Sequence, residues 1–440
     1  MQSSEQQSDA IIVGGGVAGL AAAVFLARGG KSVRLFEQSH AAGGRARTRQ
    51  QEGFYLNIGP HALYRGGRGI EVLRELGVEV RGRIPSLSGA FAVRGGVKHT
   101  FPAGMVSLLT TSLFGLSAKL ETARLLGSIA KLDGQAAMGT SLREWVDSHI
   151  SHAEVREFLH AVFRVSTYTN APEQMSAGAA IEQLKKAFGK GVLYLDGGWQ
   201  TIVDGLMEKA VQSGVLVETG AKVEAVEHDM KGAARGVRLA DGRAFPTRNV
   251  VIASSPAIAA RLVEHGQQTS LARWADEATP VKAACLDVAL EYLPRPKATF
   301  ALGIDRPLYL SVHSATARLA PEGGAMIHVA KYLPTDHSDS PGAVERELEG
   351  LLDLLQPGWR AAVAQRRFLP DMIVMNAVAT AGRDGTQGRP GPRVSDVPGL
   401  FVSGDWVGGE GLLVDASLAS AKQAAELIAA ETPASLAAAM

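Results

Sequence analysis

Residues 10–27 read AIIVGGGVAGLAAAVFLA, and this stretch decides the fold. The short apolar run Ala10–Val13 predicts a β-strand, and the run 20–27, rich in alanine and leucine, predicts a helix. The glycines between them have the spacing of a dinucleotide-binding loop, which needs a strand before it and a helix after it. The stretch therefore predicts the first strand, turn and helix of a Rossmann-like α/β domain.

The three spaced glycines of this turn have separate expected roles. Gly14 makes the tight turn, Gly16 lets the backbone approach a pyrophosphate, and Gly19 lets the helix pack closely on the strand. The phosphates would bind at the helix N-terminus, where unpaired N–H groups and the helix dipole favour an anion. Val17 and Ala18, which begin the helix, are therefore candidate cofactor contacts as well.

A second strand is predicted over residues 31–36, and it ends at Glu37. Glu37 follows Gly19 by 18 positions, where an acidic side chain can bind the hydroxyl groups of a ribose. The alternative is that Glu37 is a solvated carboxylate at the end of a strand.

Composition restricts the class of protein. A chain of 440 residues exceeds what one hydrophobic core serves, so we expect two domains. The formal net charge is +1 without long blocks of like charge, which argues against a nucleic-acid partner. The single cysteine, Cys285, rules out an intramolecular disulfide, and no cluster of metal ligands stands out, so we predict no metal site. The polar start lacks a basic n-region, and we expect a cytoplasmic protein.

A second glycine turn, Gly43-Gly44-Arg45, follows Glu37 closely. Together with the first turn it resembles the large flavoprotein group of amine oxidases, protoporphyrinogen oxidases and phytoene or carotenoid desaturases. The resemblance implies FAD as cofactor, with this turn supporting the pyrophosphate and ribityl chain and Arg45 neutralising phosphate charge. The alternative is an ordinary β-turn with a surface arginine.

The segment 54–61, FYLNIGPH, is similar to the stretch that passes beneath the isoalloxazine ring in that group. The resemblance implies that Gly59 and Pro60 keep the backbone close to the flavin. His61 is the candidate catalytic residue, since a histidine can donate a hydrogen bond or move a proton at neutral pH. A structural hydrogen bond is the alternative role of His61.

Two later segments resemble the group's returns to the cofactor. The strand around Val223 would lay its backbone against the adenine, and Gly404-Asp405 would contact the ribityl and phosphate region. The following helix would direct the N–H groups of Leu413, Val414 and residue 415 at flavin N1, where reduced flavin carries negative charge.

These returns predict discontinuous domains: an FAD-binding domain of residues 1–65, 191–270 and 371–440, and an inserted mixed α+β substrate domain of residues 66–190 and 271–370. Within the substrate domain the periodicity predicts helices over 70–76, 116–131, 142–149, 153–163 and 343–355, and strands over 283–290 and 325–330.

The resemblance implies an FAD-dependent oxidoreductase that takes a hydride from its substrate onto flavin N5, with oxygen or a quinone-like molecule as acceptor. Amine oxidases of the group place a lysine near N5, where our alignment puts Ala284 or Cys285, with Lys282 at the strand start. This difference favours phytoene desaturase-like enzymes and a largely apolar, isoprenoid-type substrate. Amine oxidation, oxidation of a porphyrinogen-like ring and FAD binding without turnover stay open as alternatives. Because Cys285 lies far along the chain from the flavin motifs, we expect non-covalent FAD.

Residues 100–118 contain no charged residue, which approaches the roughly 20 apolar residues that span a membrane. Pro102, Gly104 and Gly115 interrupt the stretch, so we predict a loop and a buried helix. A shallow peripheral membrane contact is the alternative.

Overall fold

The computed structural model describes residues 7–431, so the outer ends of the predicted FAD-binding segments, 1–6 and 432–440, lie outside the described residues. Its α-helices are α1 Val17–Arg28, α2 Arg68–Glu75, α3 Met105–Thr110, α4 Leu116–Ser128, α5 Leu142–His149, α6 Ala153–Thr167, α7 Ala177–Lys190, α8 Gln200–Gln212, α9 Pro256–Leu262, α10 Ser270–Glu277, α11 Pro341–Leu355 and α12 Val414–Ala430.

The strands of the same residues are β1 Ala10–Val13, β2 Val33–Glu37, β3 Thr48–Gln51, β4 Phe54–Asn57, β5 Leu63–Tyr64, β6 Gly82–Arg83, β7 Phe91–Arg94, β8 Val97–Thr100, β9 Val192–Leu195, β10 Leu216–Thr219, β11 Val223–His228, β12 Ala234–Leu239, β13 Ala244–Pro246, β14 Val250–Ile252, β15 Val281–Leu290, β16 Phe300–Gly303, β17 Leu308–Val312, β18 Ala325–Leu333, β19 Val363–Met375 and β20 Leu400–Val402.

A five-stranded parallel sheet has the order β10-β2-β1-β14-β20. Its strands come from the beginning, the middle and the end of the chain, so the sheet assembles only when these three stretches meet. Parallel strands buried on both faces are expected to be continuously apolar, and every residue of β1, β14 and β20 is buried. After β1 the chain first adds β2 and β10 on one side of it, and later β14 and β20 on the other side. This reversal of strand order places a crevice at the carboxyl end of β1.

Both faces of the parallel sheet are covered. Helices α1, α2, α8 and α12 form one apolar layer, in which Leu20, Ile202 and Leu418 are fully buried. The opposite layer is formed by α9, α10 and the three-stranded sheet β11-β12-β13, with Val226 and Leu271 in its core. This layering is that of a Rossmann-like domain, as the glycine turn predicts.

The second large unit is a seven-stranded mixed sheet of order β19-β15-β18-β17-β16-β7-β8. Helix α11 packs on one face, where Leu348 and Leu352 are fully buried among residues of β15, β17 and β18. Helices α3 to α7 make a separate helical core around Trp145, Phe158 and Phe163. The α/β fold class with a mixed α+β second unit agrees with the sequence prediction.

The predicted helices and strands of the second unit all occur, with ends that differ by a few residues. The predicted domain boundaries fit the packing less well. Strand β19 runs across the boundary predicted between residues 370 and 371, and α10, beyond the boundary at 270, packs with the core that covers the parallel sheet.

The charge-free stretch 100–118 folds differently from the prediction of a loop and a buried helix. It contains two helices, α3 and the start of α4. Leu108 on α3 and Ala118 on α4 are buried, as are Phe101, Leu113 and Phe114 outside the helices. Five apolar side chains are exposed: Met105, Val106, Leu109, Leu116 and, one turn further, Leu120. Within residues 7–431, none of the helices has the length and apolar content required to cross a bilayer.

Candidate active site

A groove of about 940 Å³ lies at the carboxyl ends of β1, β2 and β14. It continues into a smaller cavity of about 100 Å³, and both are lined by Val17, Arg45 and Ile58. The groove and cavity together form an elongated space that reaches from the parallel sheet to the mixed sheet.

The first glycine turn has the geometry that its spacing predicts. Gly14 has φ +109°, and a Cβ there would lie 2.7 Å from the carbonyl oxygen of Ala253. A Cβ on Gly19 would lie 1.9 Å from the carbonyl oxygen of Gly14, so only glycine lets α1 pack this closely. At Gly16 a Cβ would meet no atom within 4 Å, and its backbone faces the open groove. The protein itself therefore imposes no steric requirement for glycine at position 16.

Glu37 lies at the end of β2, buried at the wall of the groove. Its carboxylate accepts hydrogen bonds from the N–H groups of Gly15 at 2.7 Å and Ser39 at 2.8 Å. Because a carboxylate has about four acceptor positions, two stay available to ribose hydroxyl groups. The main-chain contacts hold the side chain in place, which argues against a freely solvated carboxylate.

The second glycine turn packs on the first. The N–H group of Gly43 donates to the carbonyl oxygen of Gly15 at 2.8 Å, and both Gly43 and Gly44 have positive φ. Arg45 donates to Asp405 at 2.7 Å and to the carbonyl oxygen of Val374 at 2.8 Å. Arg45 is thus held in an ion pair at the junction of the groove and the cavity.

Asp405 is buried where it pairs with Arg45. It also accepts a hydrogen bond of 2.8 Å from the side chain of Asn376. Arg389 lies near it, and burial lowers the pKa of that guanidinium to about 10 while the charge of Asp405 acts in the opposite direction. The sequence reasoning missed Asn376 and Arg389, and no motif could have found them.

Segment 58–61 joins β4 to the cavity wall. Gly59 has φ +73°, and a Cβ there would lie 2.8 Å from Met372 Cε and 2.9 Å from Cys285 Sγ. Gly59 therefore does not line the cavity itself, but it lets the chain lie against the mixed sheet. Pro60 and His61 do line the cavity.

His61 is oriented by two contacts. Its Nδ1 lies 3.0 Å from the carbonyl oxygen of Gly59, and its ring packs against Trp199 with a centroid distance of 4.9 Å. Burial lowers the pKa of His61 to about 4, so the ring is neutral at pH 7. Since a carbonyl oxygen can only accept, Nδ1 carries the proton and Nε2 is the unprotonated nitrogen, and the backbone of Arg45 also lies close to the ring. The geometry suits proton acceptance better than donation.

A row of polar groups, of which Asp287 and His328 are fully buried, supports this segment from the mixed sheet. Asp287 on β15 lies opposite His328 on β18 and Arg367 on β19. Its carboxylate lies 2.6 Å from His328 Nδ1 and 2.5 Å from Arg367. Arg367 also donates to the carbonyl oxygen of Asn57, the last residue of β4. Burial acts to raise the pKa of Asp287, but His328 and Arg367 outweigh it and hold the pKa below its usual range.

The N-terminus of α12 faces the cavity. Leu413 and Val414 line it, and among the described residues their N–H groups donate to no acceptor. Leu413, the residue before α12, has φ +58°, which is a strained conformation for leucine. This conformation sets the direction in which α12 begins. The expectation of a free N–H group at Asp415 is wrong, because it donates to the carbonyl oxygen of Leu412 at 3.1 Å. The carboxylate of Asp415 instead accepts from the N–H of Gly69 at 2.9 Å.

The predicted site residues gather around this one space. Those on the groove are Gly14, Gly16, Val17, Ala18, Glu37, Gly43, Gly44, Arg45, Val223 and Gly404. Those on the cavity also include Pro60, His61, Asp405, Leu413 and Val414. Gly19 and Gly59 lie behind the walls, where they allow close packing. Within the described residues no group of three or more metal-ligating side chains occurs.

Cys285 lies closer to the cavity than its place in the chain suggested. Its side chain packs behind Gly59, while Ala284 on the same strand belongs to the core under α11. Of these two residues, Cys285 is therefore the one on the side of the strand that faces Gly59. Lys282 pairs with Asp371 at 2.9 Å near the rim. Burial raises the pKa of the Cys285 thiol well above its usual value, so the sulfur is an unreactive thiol.

Comparisons with known proteins place this geometry in a family. A phytoene desaturase from Myxococcus xanthus that forms zeta-carotene is 27% identical over 279 residues, which are 55% of this chain and 52% of the relative. An oxidoreductase structure from Methanosarcina mazei covers 95% of this chain and 99% of its own, with a TM-score of 0.74 and 20% identity. Putrescine oxidase bound to putrescine covers 96% and 99%, with a TM-score of 0.73 and 18% identity.

The match to the curated relative spans about half of each protein, and the structural likenesses show the fold. The family pattern described as flavin containing amine oxidoreductase extends over nearly the whole chain, from residue 17 to residue 429. This protein belongs to the flavin-containing amine oxidoreductase family.

Proposed function

We propose that the protein is an FAD-dependent oxidoreductase that acts on a largely apolar substrate, with an isoprenoid as the candidate class. The observation that carries the proposal is the continuous space from the first glycine turn to the cavity beside His61. An elongated groove with open backbone at Gly16 and two unpaired N–H groups at α12 suits a dinucleotide with a flavin at the cavity end. A bound flavin would supply the acceptor for a hydride from a substrate C–H bond, with oxygen or a quinone-like molecule as the final acceptor.

The residues of the chain supply orientation, electrostatics and the proton path. Glu37 holds ribose hydroxyl groups, and the N–H groups of Leu413 and Val414 stabilise negative charge at the cavity end. A substrate that forms a C=C bond loses a proton in addition to a hydride. The unprotonated Nε2 of His61 accepts that proton.

An apolar substrate agrees with the cavity and with one relative. Ile58, Tyr168, Trp199 and Met372 contribute largely apolar walls. The Myxococcus xanthus relative is a phytoene desaturase by name. An amine is the second candidate substrate, because the family description names amine oxidoreductases. The absence of a lysine at positions 284 and 285 argues against an amine.

Anaerobic mixing with a candidate donor tests this function. We expect the protein to release FAD on denaturation, and an acyclic polyene precursor presented in detergent to bleach the flavin absorbance. Replacing His61 by glutamine should slow bleaching by about 10²-fold or more, because the proton acceptor is lost. In the parent protein, His61 should cause no inflection near pH 6.5 in the pH profile of the bleaching rate. Its pKa is lowered to about 4, which keeps the ring neutral above about pH 5.

Two results would contradict the proposal. Bleaching of the flavin by aliphatic amines but not by polyenes would indicate that the protein oxidises amines. No bleaching by any donor would favour a protein that binds FAD without turnover. An unchanged rate in the His61→Gln variant would leave His61 a structural residue.

We also propose that the exposed face of α3 and α4 contacts an anionic membrane surface. Met105, Val106, Leu109 and Leu116 are each more than 60% exposed, which is unusual for side chains of this size. Residues 97–132 carry four basic side chains against one acidic one, whereas the whole chain is nearly neutral. Apolar side chains framed by positive charge suit insertion beside anionic headgroups, where an apolar substrate would be dissolved.

Vesicle sedimentation tests this contact. The change of Leu109 and Leu116 to serine should weaken binding to phosphatidylglycerol-containing vesicles by at least about tenfold, because two inserted side chains are lost. The Leu216→Ser variant is the matched control, since Leu216 is 58% exposed on the edge strand β10, outside the face. Equal binding of the double variant and the parent would refute the contact.

A further inference from the structure

A cavity of about 630 Å³ lies outside the groove and the cavity beside His61, and it shares no lining residue with either. Its walls come from α2, the end of α7, strands β6 and β9, and the residue that follows β5. Four of its eight lining residues are basic and none is acidic, although the chain as a whole is nearly neutral. We call this cavity the basic pocket, and its basic residues are Arg65, Arg74, Arg83 and Lys190. Its volume is typical of pockets that hold small molecules.

Two of the basic residues are held next to each other where α7 ends. The N–H group of Arg65 donates to the carbonyl oxygen of Gly191 at 3.1 Å, beside the pairing of β5 with β9. The guanidinium of Arg65 donates to the carbonyl oxygen of Lys190, the last residue of α7, at 3.2 Å. The aliphatic part of Lys190 lies over Gly66, where a Cβ would be 3.6 Å from Lys190 Cδ. The local backbone thus positions both cations at one wall.

The other two basic residues come from separate elements. Arg83 lies on β6, opposite Tyr194 of β9. A Cβ on Gly82 would lie 2.3 Å from the carbonyl oxygen of Tyr194, so glycine allows β6 to lie close against β9. Arg74 is in the last turn of α2. The four basic residues therefore meet in one cavity only through the tertiary packing.

The positive charge of the basic pocket is not balanced by the protein. Within residues 7–431, no carboxylate forms an ion pair with any of the four basic side chains. The carboxylates nearest to them in the sequence pair elsewhere, at 2.8–3.0 Å: Glu71 with Arg68, Glu75 with Lys422, and Glu79 with Arg81. A cleft lined by charges of one sign concentrates the field and attracts ions of the opposite sign. The pocket is therefore expected to attract an anion that carries several charges.

Apolar side chains line the rest of the basic pocket. They are Ile70, Ile84 and Leu193, and Ile84 is 51% exposed. No aromatic side chain of the described residues lines the pocket, so a nucleotide base would find no ring to stack on. The lining thus suits a ligand that combines negative charge with an aliphatic part.

We propose that the basic pocket binds a diphosphate group. Arginine can donate two parallel N–H groups to phosphate oxygens, and a lysine adds a compact positive charge. Two linked phosphates offer charge and acceptor oxygens to several of these cations at once, whereas a carboxylate or a single phosphate matches fewer of them. The apolar lining favours an aliphatic ester of diphosphate over the free ion. Because the pocket is separate from the groove, this binding does not depend on the proposed oxidation.

Calorimetric titration of the full-length, FAD-loaded protein with inorganic diphosphate and with inorganic phosphate tests the proposal. The loaded protein is used because the diphosphate of FAD then occupies the glycine turn at Gly16. We expect diphosphate to bind at least about tenfold more tightly than phosphate, since it gains further charged hydrogen bonds. The Arg83→Met variant should weaken diphosphate binding by about tenfold or more. If this variant does not retain FAD, Lys190→Met supplies the test, because Lys190 is exposed at a helix end.

Arg81→Met is the matched control. Arg81 lies two positions before Arg83 and has the same charge, but it pairs with Glu79, is 82% exposed and does not line the basic pocket. Its replacement should leave diphosphate binding unchanged.

Titration with octyl diphosphate distinguishes the two sources of the diphosphate group. An ester site should bind it at least about fivefold more tightly than inorganic diphosphate, because the chain covers apolar side chains. The Ile84→Ser variant should reduce this gain and keep the binding of inorganic diphosphate. Equal affinities of the parent for octyl diphosphate and inorganic diphosphate would identify the free ion as the ligand.

Equal affinities of the parent for diphosphate and phosphate would overturn the proposal. Unchanged diphosphate binding in the Arg83→Met variant would also overturn it, since the ion would then bind elsewhere. The proposed function fails by a different measurement, when no donor bleaches the flavin.

Discussion

The Gly19→Ala variant is expected to lose most of its flavin during purification. The added Cβ would lie 1.9 Å from the carbonyl oxygen of Gly14 and 3.1 Å from the side chain of Ala253. Backbone atoms cannot move aside as a flexible side chain can, so α1 must shift away from β1. That shift displaces the helix N-terminus and the turn that would hold the pyrophosphate. The ratio of flavin to protein absorbance in the purified variant measures the loss.

Gly127→Ala is the control for this experiment. Gly127 lies within α4, and a Cβ there would meet no atom within 4 Å. Alanine is favoured over glycine inside a helix by roughly 0.5–1 kcal/mol, so this variant should keep its flavin and its stability. Full flavin content in Gly19→Ala would show that the turn does not carry the cofactor.

The Asp287→Ala variant is expected to lose about 3–5 kcal/mol of its free energy of unfolding. Asp287 is completely buried between His328 and Arg367, and its removal leaves the buried imidazole and the partly buried guanidinium without their partner. Denaturant unfolding of the flavin-free parent and variant measures the difference. Because Arg367 also holds the carbonyl oxygen of Asn57, we expect weaker flavin retention in the variant as well.

The Asp371→Ala variant tests whether burial is the cause of the large loss of stability expected for Asp287→Ala. Asp371 also pairs with a cation between β15 and β19, at 2.9 Å from Lys282, but this pair is partly exposed. Exposed pairs contribute about 0–1 kcal/mol, so the loss should be small. Similar losses in the two variants would mean that the buried row has no special role in stability.

The buried row also gives the stability a pH dependence. The folded pKa of Asp287 lies below its unfolded value, so its contribution is present above the unfolded pKa and is lost as the pH falls through the folded pKa. The neutral ring of His61 acts in the same direction, because its folded pKa is lowered to about 4. Stability should therefore fall as the pH drops from about 6.5 toward 4 because of His61, and fall further below about 4 because of Asp287.

The sequence by itself determined the Rossmann-like domain and most of the cofactor groove. The roles of Gly14 and Gly19 depend on atoms within the same strand, turn and helix or on the adjacent strand, and local spacing encodes such contacts. Glu37 and the turn at Gly43 follow within one further strand. The return of the C-terminal segment to the groove could also be predicted, because a strand, the pair Gly404-Asp405 and the start of a helix form one local pattern.

Only the tertiary structure decided which residues meet at the cavity end. Asp287, His328 and Arg367 are 39 to 80 positions apart, and they touch because the register of β15, β18 and β19 puts them side by side. Cys285 is far from the flavin motifs along the chain, but the same sheet places it behind Gly59. Local periodicity specifies which face of an element is buried, but the partner across that face depends on how the sheets and helices assemble.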